Sequence, residues 1–245
     1  MRQDEPDDPR RRTLIQALAA GLLSAGALGE RAVAQGLFGG RPEKLPEGRS
    51  IYRLRGKVTV NDSVPTLATP IRAGDTVKTG ADGEIIFVVG GNSMIVRRNS
   101  TVSLGSPPKE KSSSFFLSAL RVVTGAILSV SRNRPMRIST ATATIGIRGT
   151  GFYVEAEPDR TYFCTCYGLT DIGAIADPES KTRVVATHHD RPVYIVTDGG
   201  RGKNIRNAPF VNHTDQELAL IEALVGREPP FVFPKSNYTG PRRRY

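Results

Sequence analysis

Hydrophobic and polar positions alternate over short stretches along most of this chain, the period of strands buried on one face. Residues 51–60 alternate weakly through Tyr52, Leu54, Val58 and Val60. Gly74-Asp75 reads as a tight turn before residues 76–79, and Gly80-Ala81-Asp82-Gly83 as a second one. The second turn leads into residues 84–89, an apolar run continuous enough for a buried strand. Gly90-Gly91-Asn92 breaks the pattern before residues 93–97 and 101–104, which Arg98-Asn99-Ser100 separates. Residues 105–114, GSPPKEKSSS, form a polar loop. In 115–130 the β-branched residues Val122, Val123, Ile127 and Val130 favour strand over helix. Residues 137–147, 151–156, 161–167 and 170–175 complete the β region. Strands of about four to eight residues at such spacing predict a sandwich or a short solenoid, and leave the pairing order open.

Beyond residue 176 the texture changes. Residues 184–186 and 193–196 are short strand candidates, and one helix is expected near 214–226. Thr214 or Asp215 caps its start, Glu217 lies in its first turn, and Leu218, Ile221, Leu224 and Val225 mark one face. Gly226 is placed to end it, and Pro229-Pro230 prevents continuation.

The start of the chain reads as a targeting segment rather than as structure. In residues 1–34, Arg11 and Arg12 precede a short spacer and a mildly apolar stretch, which resembles a twin-arginine export signal. Ala32 and Ala34 supply a small-x-small cleavage pattern, so the mature chain is expected to begin at Gln35 in the periplasm or otherwise outside the cytosol. Residues 35–50, rich in Gly and Pro, read as a linker, 51–175 as the β domain and 176–245 as an extension carrying the helix. No later stretch approaches ~20 uninterrupted apolar residues, so no membrane span is expected in the mature chain.

Charge narrows the partners only slightly. The net charge is +10, and the leader carries equal numbers of acidic and basic residues, so its loss changes nothing. Anionic lipid, polysaccharide and nucleic acid all suit such a charge, but an exported chain is not expected to meet nucleic acid. Apart from Arg242-Arg243-Arg244 the basic residues are scattered, and that tail reads as a solvated one.

The stretch 140–154, TATATIGIRGTGFYV, reads as strand, a break at 146–150, and strand; 69–89 repeats the rhythm. With Gly56-Lys57-Val58, the turn 74–80, the strand 84–89, the pair within 97–104 and Gly125-Ala126-Ile127, residues 51–174 resemble the FecR domain. That resemblance implies an all-β fold, β-solenoid-like or a compact sandwich, with a sensing or protein-binding role rather than an enzymatic one. FecR-type regulators begin with a cytoplasmic helical domain and a membrane span. Here a cleavable leader stands in that place, so direct sigma-factor regulation is not expected, and the extension past 176 falls outside the pattern.

Two constellations carry chemistry. Arg148, Gly149 and Thr150 form the most specific part of the resemblance, and they are explained structurally. Gly149 permits a bulge, Arg148 can reach a carbonyl or carboxylate, and Thr150 can bond the local backbone. Cys164 and Cys166, both cysteines of the chain, lie two apart on a strand and face the same way. Same-face positions hold their Cβ atoms too far apart for an easy disulfide. With His188, His189 and His213 they could hold Zn²⁺ or Cu⁺; buried cysteines filling a core with locally bonded histidines is the alternative. Asn212-His213-Thr214-Asp215 reads as a capping segment rather than a catalytic pair, and no serine elbow or paired carboxylates stand out. The sequence therefore predicts an exported, non-enzymatic FecR-like module that binds a protein or cell-envelope component. The alternative is a periplasmic metal-binding or redox protein centred on Cys164 and Cys166.

Overall fold

The computed structural model describes residues 42–105, 117–131 and 135–231. The leader residues Arg11, Arg12, Ala32 and Ala34, the first part of the linker, the polar loop after Gly105 and the arginine tail lie outside them.

Most of the architecture follows from three strands far longer than the expected four to eight residues: β7 (Ala119–Ser131), β9 (Ala143–Ala156) and β10 (Arg160–Ala174). Each changes partners along its length. The first half of β7 pairs with β6 (Thr101–Gly105) and, in parallel, with β8 (Met136–Ser139); its second half pairs with β5 (Asn92–Val96) and β9. Likewise β9 runs from β8 to β7, and β10 from β12 (Val193–Val196) to β11 (Lys181–Ala186). A strand that serves two layers must bend, and bends of this kind are made at bulges and glycines. Gly125, Gly149 and Gly168 sit at the changeover points with φ of +85°, +60° and +93°. The β9–β10 register shifts around Tyr167.

One continuous sheet thus folds over on itself as a sandwich. One layer holds β1 (Ile51–Arg55), β4 (Glu84–Val89), β5, the inner halves of β7, β9 and β10, then β12 and β13 (Ile205–Asn207). The other holds β2 (Val58–Val60), β3 (Thr76–Thr79), β6, β8, β11 and the remaining halves. The expected break at 146–150 is therefore a corner inside a continuous β9, because Gly149 lets the backbone turn without ending its pairing. Thr150 Oγ1 donates toward the Arg148 and Leu169 carbonyls at 2.9 and 3.0 Å and so pins that corner, whereas Arg148 stays largely exposed, 3.8 Å from Asp171.

Alternation decides which side chains meet. Phe152 and Val154 face the core between layers and Tyr153 faces out; Phe163 faces in while Tyr162 and Cys164 face out. Phe152 stacks on Phe163 at 5.8 Å within the larger core. The outer face of the first layer, with Ile86, Ile95, Leu128 and Val130, is covered by helix α1 (Asp215–Leu224) through Leu218, Ile221 and Leu224. Thr214 caps α1 in a capping box with Glu217, and Gly226 at φ +71° follows its C-cap, Val225. Arg97 on the sheet grips Glu217 at 2.9 and 3.0 Å, which fixes the start of the helix. Among the described residues, no helix is long and apolar enough to cross a membrane.

Candidate metal centre

Beneath the start of α1 four side chains converge. Cys164 and Cys166 project from the outer face of β10, as their spacing requires. His189 comes from the loop between β11 and β12, at φ +54°, with its backbone N–H bonded to the Cys166 carbonyl at 2.9 Å. His213 directly precedes the Thr214 cap and follows Asn212, another residue at positive φ (+63°). Two uncommon backbone conformations thus lie at or beside a donor, a pattern found where local geometry serves a site. Their inner atoms, Cys164 Sγ, Cys166 Sγ, His189 Nδ1 and His213 Nε2, lie within 4.8 Å of one another, and all four residues are buried. The cysteines are free.

The spacing among these donors can be tested against an ion. Tetrahedral Zn²⁺ with Zn–S of about 2.3 Å and Zn–N of about 2.05 Å has S···N edges of about 3.6 Å and N···N edges of about 3.4 Å. The observed edges are 3.5 Å for Cys164–His189, 3.4 Å for Cys166–His213 and 3.2 Å for His189–His213. Three of the six edges of this Cys₂His₂ set thus lie close to those of a zinc tetrahedron, and the other three are within 4.8 Å.

The outer nitrogens are held as metal-ligating imidazoles usually are. His213 Nδ1 donates to the Val211 carbonyl at 2.7 Å, which leaves Nε2 free to face the cluster. His189 Nε2 donates to the fully buried carboxylate of Asp215 at 2.9 Å, which leaves Nδ1. His188 does not reach the four donors. Its Nε2 lies 2.9–3.0 Å from the same carboxylate, a hydrogen-bond length shorter than a metal-ligand edge, so it braces Asp215 from outside. Phe210 packs against His189 and His213, Tyr153 stacks on His213 at 4.5 Å, and Phe231 lies against His188. Aromatic rings thus wall the donors, with the Asp215 carboxylate as the polar group behind His189.

Electrostatics divide the four donors: Cys164 and His213 favour the deprotonated form a cation needs, Cys166 and His189 the protonated one. Burial opposes ionising Cys164, but hydrogen bonds from Cys166, His189 and His213 outweigh it and hold that thiol well below its ordinary range. Burial and the neighbouring Cys164 push Cys166 up. Burial works against a charged His189, yet Asp215 and Cys164 lift it to about 8, whereas burial keeps His213 low. Burial would raise Asp215, but the two imidazoles hold it below the usual carboxylate range. One thiolate is therefore already favoured, and a divalent ion is the partner that would make the second favourable too.

Sequence reasoning named Cys164, Cys166, His189 and His213 and included His188, which falls one step out. It missed Asp215 as the group that orients His189, because an acid at a helix start is already explained by capping. A cleft of about 740 Å³ opens beside the cluster, with Arg97, Tyr153, Glu155 and Asn212 in its wall and no Ser, Cys or His among its lining. Glu155 accepts from Tyr153 and Asn212, and Arg97 is spent on Glu217 and Glu84.

No curated protein sequence matches this chain. Two crystal structures of a candidate anti-sigma factor from Parabacteroides distasonis are similar to it, at 15% and 13% identity with TM-scores of 0.41 and 0.42. The likeness covers 54% of this chain and 58% of the first, and 58% of this chain and 70% of the second, so the chain spans little more than half of the first structure. Residues 75–168 match the family described as FecR protein. That segment contains both cysteines and neither cluster histidine: the part of the sandwich that presents the thiols is a FecR domain, and the two imidazoles come from the extension beyond it.

Proposed function

We propose that this protein is an exported, non-enzymatic FecR module whose C-terminal extension completes a buried Cys₂His₂ centre for Zn²⁺. What supports the reading is the agreement of three donor–donor edges, 3.2, 3.4 and 3.5 Å, with a zinc tetrahedron, each imidazole being oriented from behind. Four protein donors leave no open position, which suits a structural ion rather than a catalytic one. Two added imidazoles favour Zn²⁺ over Cu⁺, which is satisfied by fewer, softer ligands. A sealed site loads most simply while the chain folds, and a twin-arginine leader would carry the folded, loaded protein outward.

Recognition of a protein or envelope component is a second reading. Among the described residues β11 pairs only with β10, which leaves its other edge without a strand there, and Val185 on it is an exposed apolar residue.

Cobalt substitution tests the metal reading. Reduced, metal-free full chain titrated with Co²⁺ is expected to take up one ion, develop the intense visible absorption of a tetrahedral thiolate site, and lose it when Zn²⁺ is added. Octahedral-type weak absorption, or no stoichiometric uptake with both thiols intact, would overturn it.

A further inference from the structure

Three of the four donors belong to the sandwich itself. Cys164 and Cys166 lie on β10, and His189 lies in a loop held at both ends by strands that pair with β10. His213 alone comes from the segment after β13, which carries α1 across the outer face of the sheet. Resting on the metal reading above, we infer that the ion is the clamp that docks this helical segment: with the centre loaded the helix is fixed, and without it the helix undocks and frays.

Helix length and the contacts that docking makes support the clamp. α1 has 10 residues, and isolated helices shorter than ~12–15 residues are marginal in water. Its hold on the sheet is a short apolar stripe, Leu218, Ile221 and Leu224, with the Arg97–Glu217 pair, the buried Glu222 accepting from the Tyr167 hydroxyl of β10, and a backbone bond from Leu45 to Leu224. At the front of that stripe, docking brings the His213 Nε2 atom to within 3.2 Å of His189 Nδ1 and 3.4 Å of Cys166 Sγ, all of them buried. An ion would turn these contacts into four metal–donor bonds, stronger than the hydrogen bonds that hold the same atoms together without it. Asp215 joins the two events, because the first residue of the helix is also the acceptor that aims His189. Ion and helix then stabilise each other by the same factor.

Hydrogen exchange on the full chain, Zn²⁺-loaded and chelator-stripped with metal content measured on both, reads docking directly. The stripped protein is expected to lose amide protection over 214–225 while β7 and β9 keep theirs. Unchanged protection in protein shown to be zinc-free overturns the clamp and leaves the metal site standing; a chain that takes up no Zn²⁺ sinks both. Two variants weaken the helix without touching a donor. Thr214→Ala removes the cap, and Ala219→Gly weakens a helical position outside the cluster; each is expected to lower Zn²⁺ affinity about fivefold. Equal affinity for both variants and the unmodified chain would contradict the coupling, since a helix that stays docked regardless passes no cost to the ion.

Discussion

Replacing Asp215 by Asn probes the centre while keeping its four donors and nearly all of its volume. The carboxylate is fully buried and takes the His189 Nε2 proton at 2.9 Å, with His188 on its other flank. An amide keeps an acceptor oxygen but loses the charge that makes His189 Nδ1 a strong donor to a cation. Loss of such a supporting group weakens metal affinity by about 10- to 100-fold, which is roughly 1.4–2.7 kcal/mol. At a fixed excess of Zn²⁺ the loaded fold loses that amount. For a domain of this size, about 2–4 °C per kcal/mol, the zinc-dependent rise in Tm shrinks by roughly 3–11 °C. Competition against a chromophoric chelator gives the affinity, and paired melts with and without Zn²⁺ give the increment, so any change in the metal-free fold cancels. An Asp215→Asn chain with unaltered affinity and an unaltered increment would refute the role assigned to the carboxylate.

Gly168→Ala is expected to destabilise the chain by about 2 kcal/mol or more in urea unfolding, because its φ is +93° and an added Cβ would sit 2.5 Å from the Gly149 carbonyl oxygen; a neutral result would mean that the corner of β10 is not the rigid bend described. Asp177 is held below the usual carboxylate range by the Ser180 hydroxyl and by the Gly202 and Glu179 amides. A depressed pKa adds stability above the ordinary carboxylate range and loses it as pH falls. Melts from neutral to acid pH should therefore fall less steeply for Asp177→Asn than for the unmodified chain, and parallel acid limbs would contradict the assignment.

Much of the fold was legible because it rests on local signals. The period-two alternation located the strands, and the cap, the Leu218–Ile221–Leu224 stripe and Gly226 located the helix within one or two residues. The lengths of β7, β9 and β10 were not legible. A glycine inside an apolar run marks the end of a strand and a corner in one with equal force, and only pairing on both sides of Gly125, Gly149 and Gly168 separates the two. For the same reason the sandwich and the solenoid stood level in the sequence. In the centre, the two-residue spacing of Cys164 and Cys166 fixed a shared face, but nothing local says that His189 and His213, 24 residues apart, arrive there together. His188 and His189 are adjacent and chemically alike; the turn at His189, φ +54°, decides which ring points inward. Asp215 was hidden because its place in the helix cap already explained it.

The central claim is that Cys164, Cys166, His189 and His213 hold an ion in the folded chain. Elemental analysis of the full chain, purified under native reducing conditions without a metal-affinity resin, tests it most directly. One zinc per chain, lost together with the tight site in a Cys166→Ser variant, is the predicted result. Protein that is folded and has both thiols intact, yet carries no metal near one per chain and binds none when Zn²⁺ is supplied to the reduced protein during refolding, would contradict it.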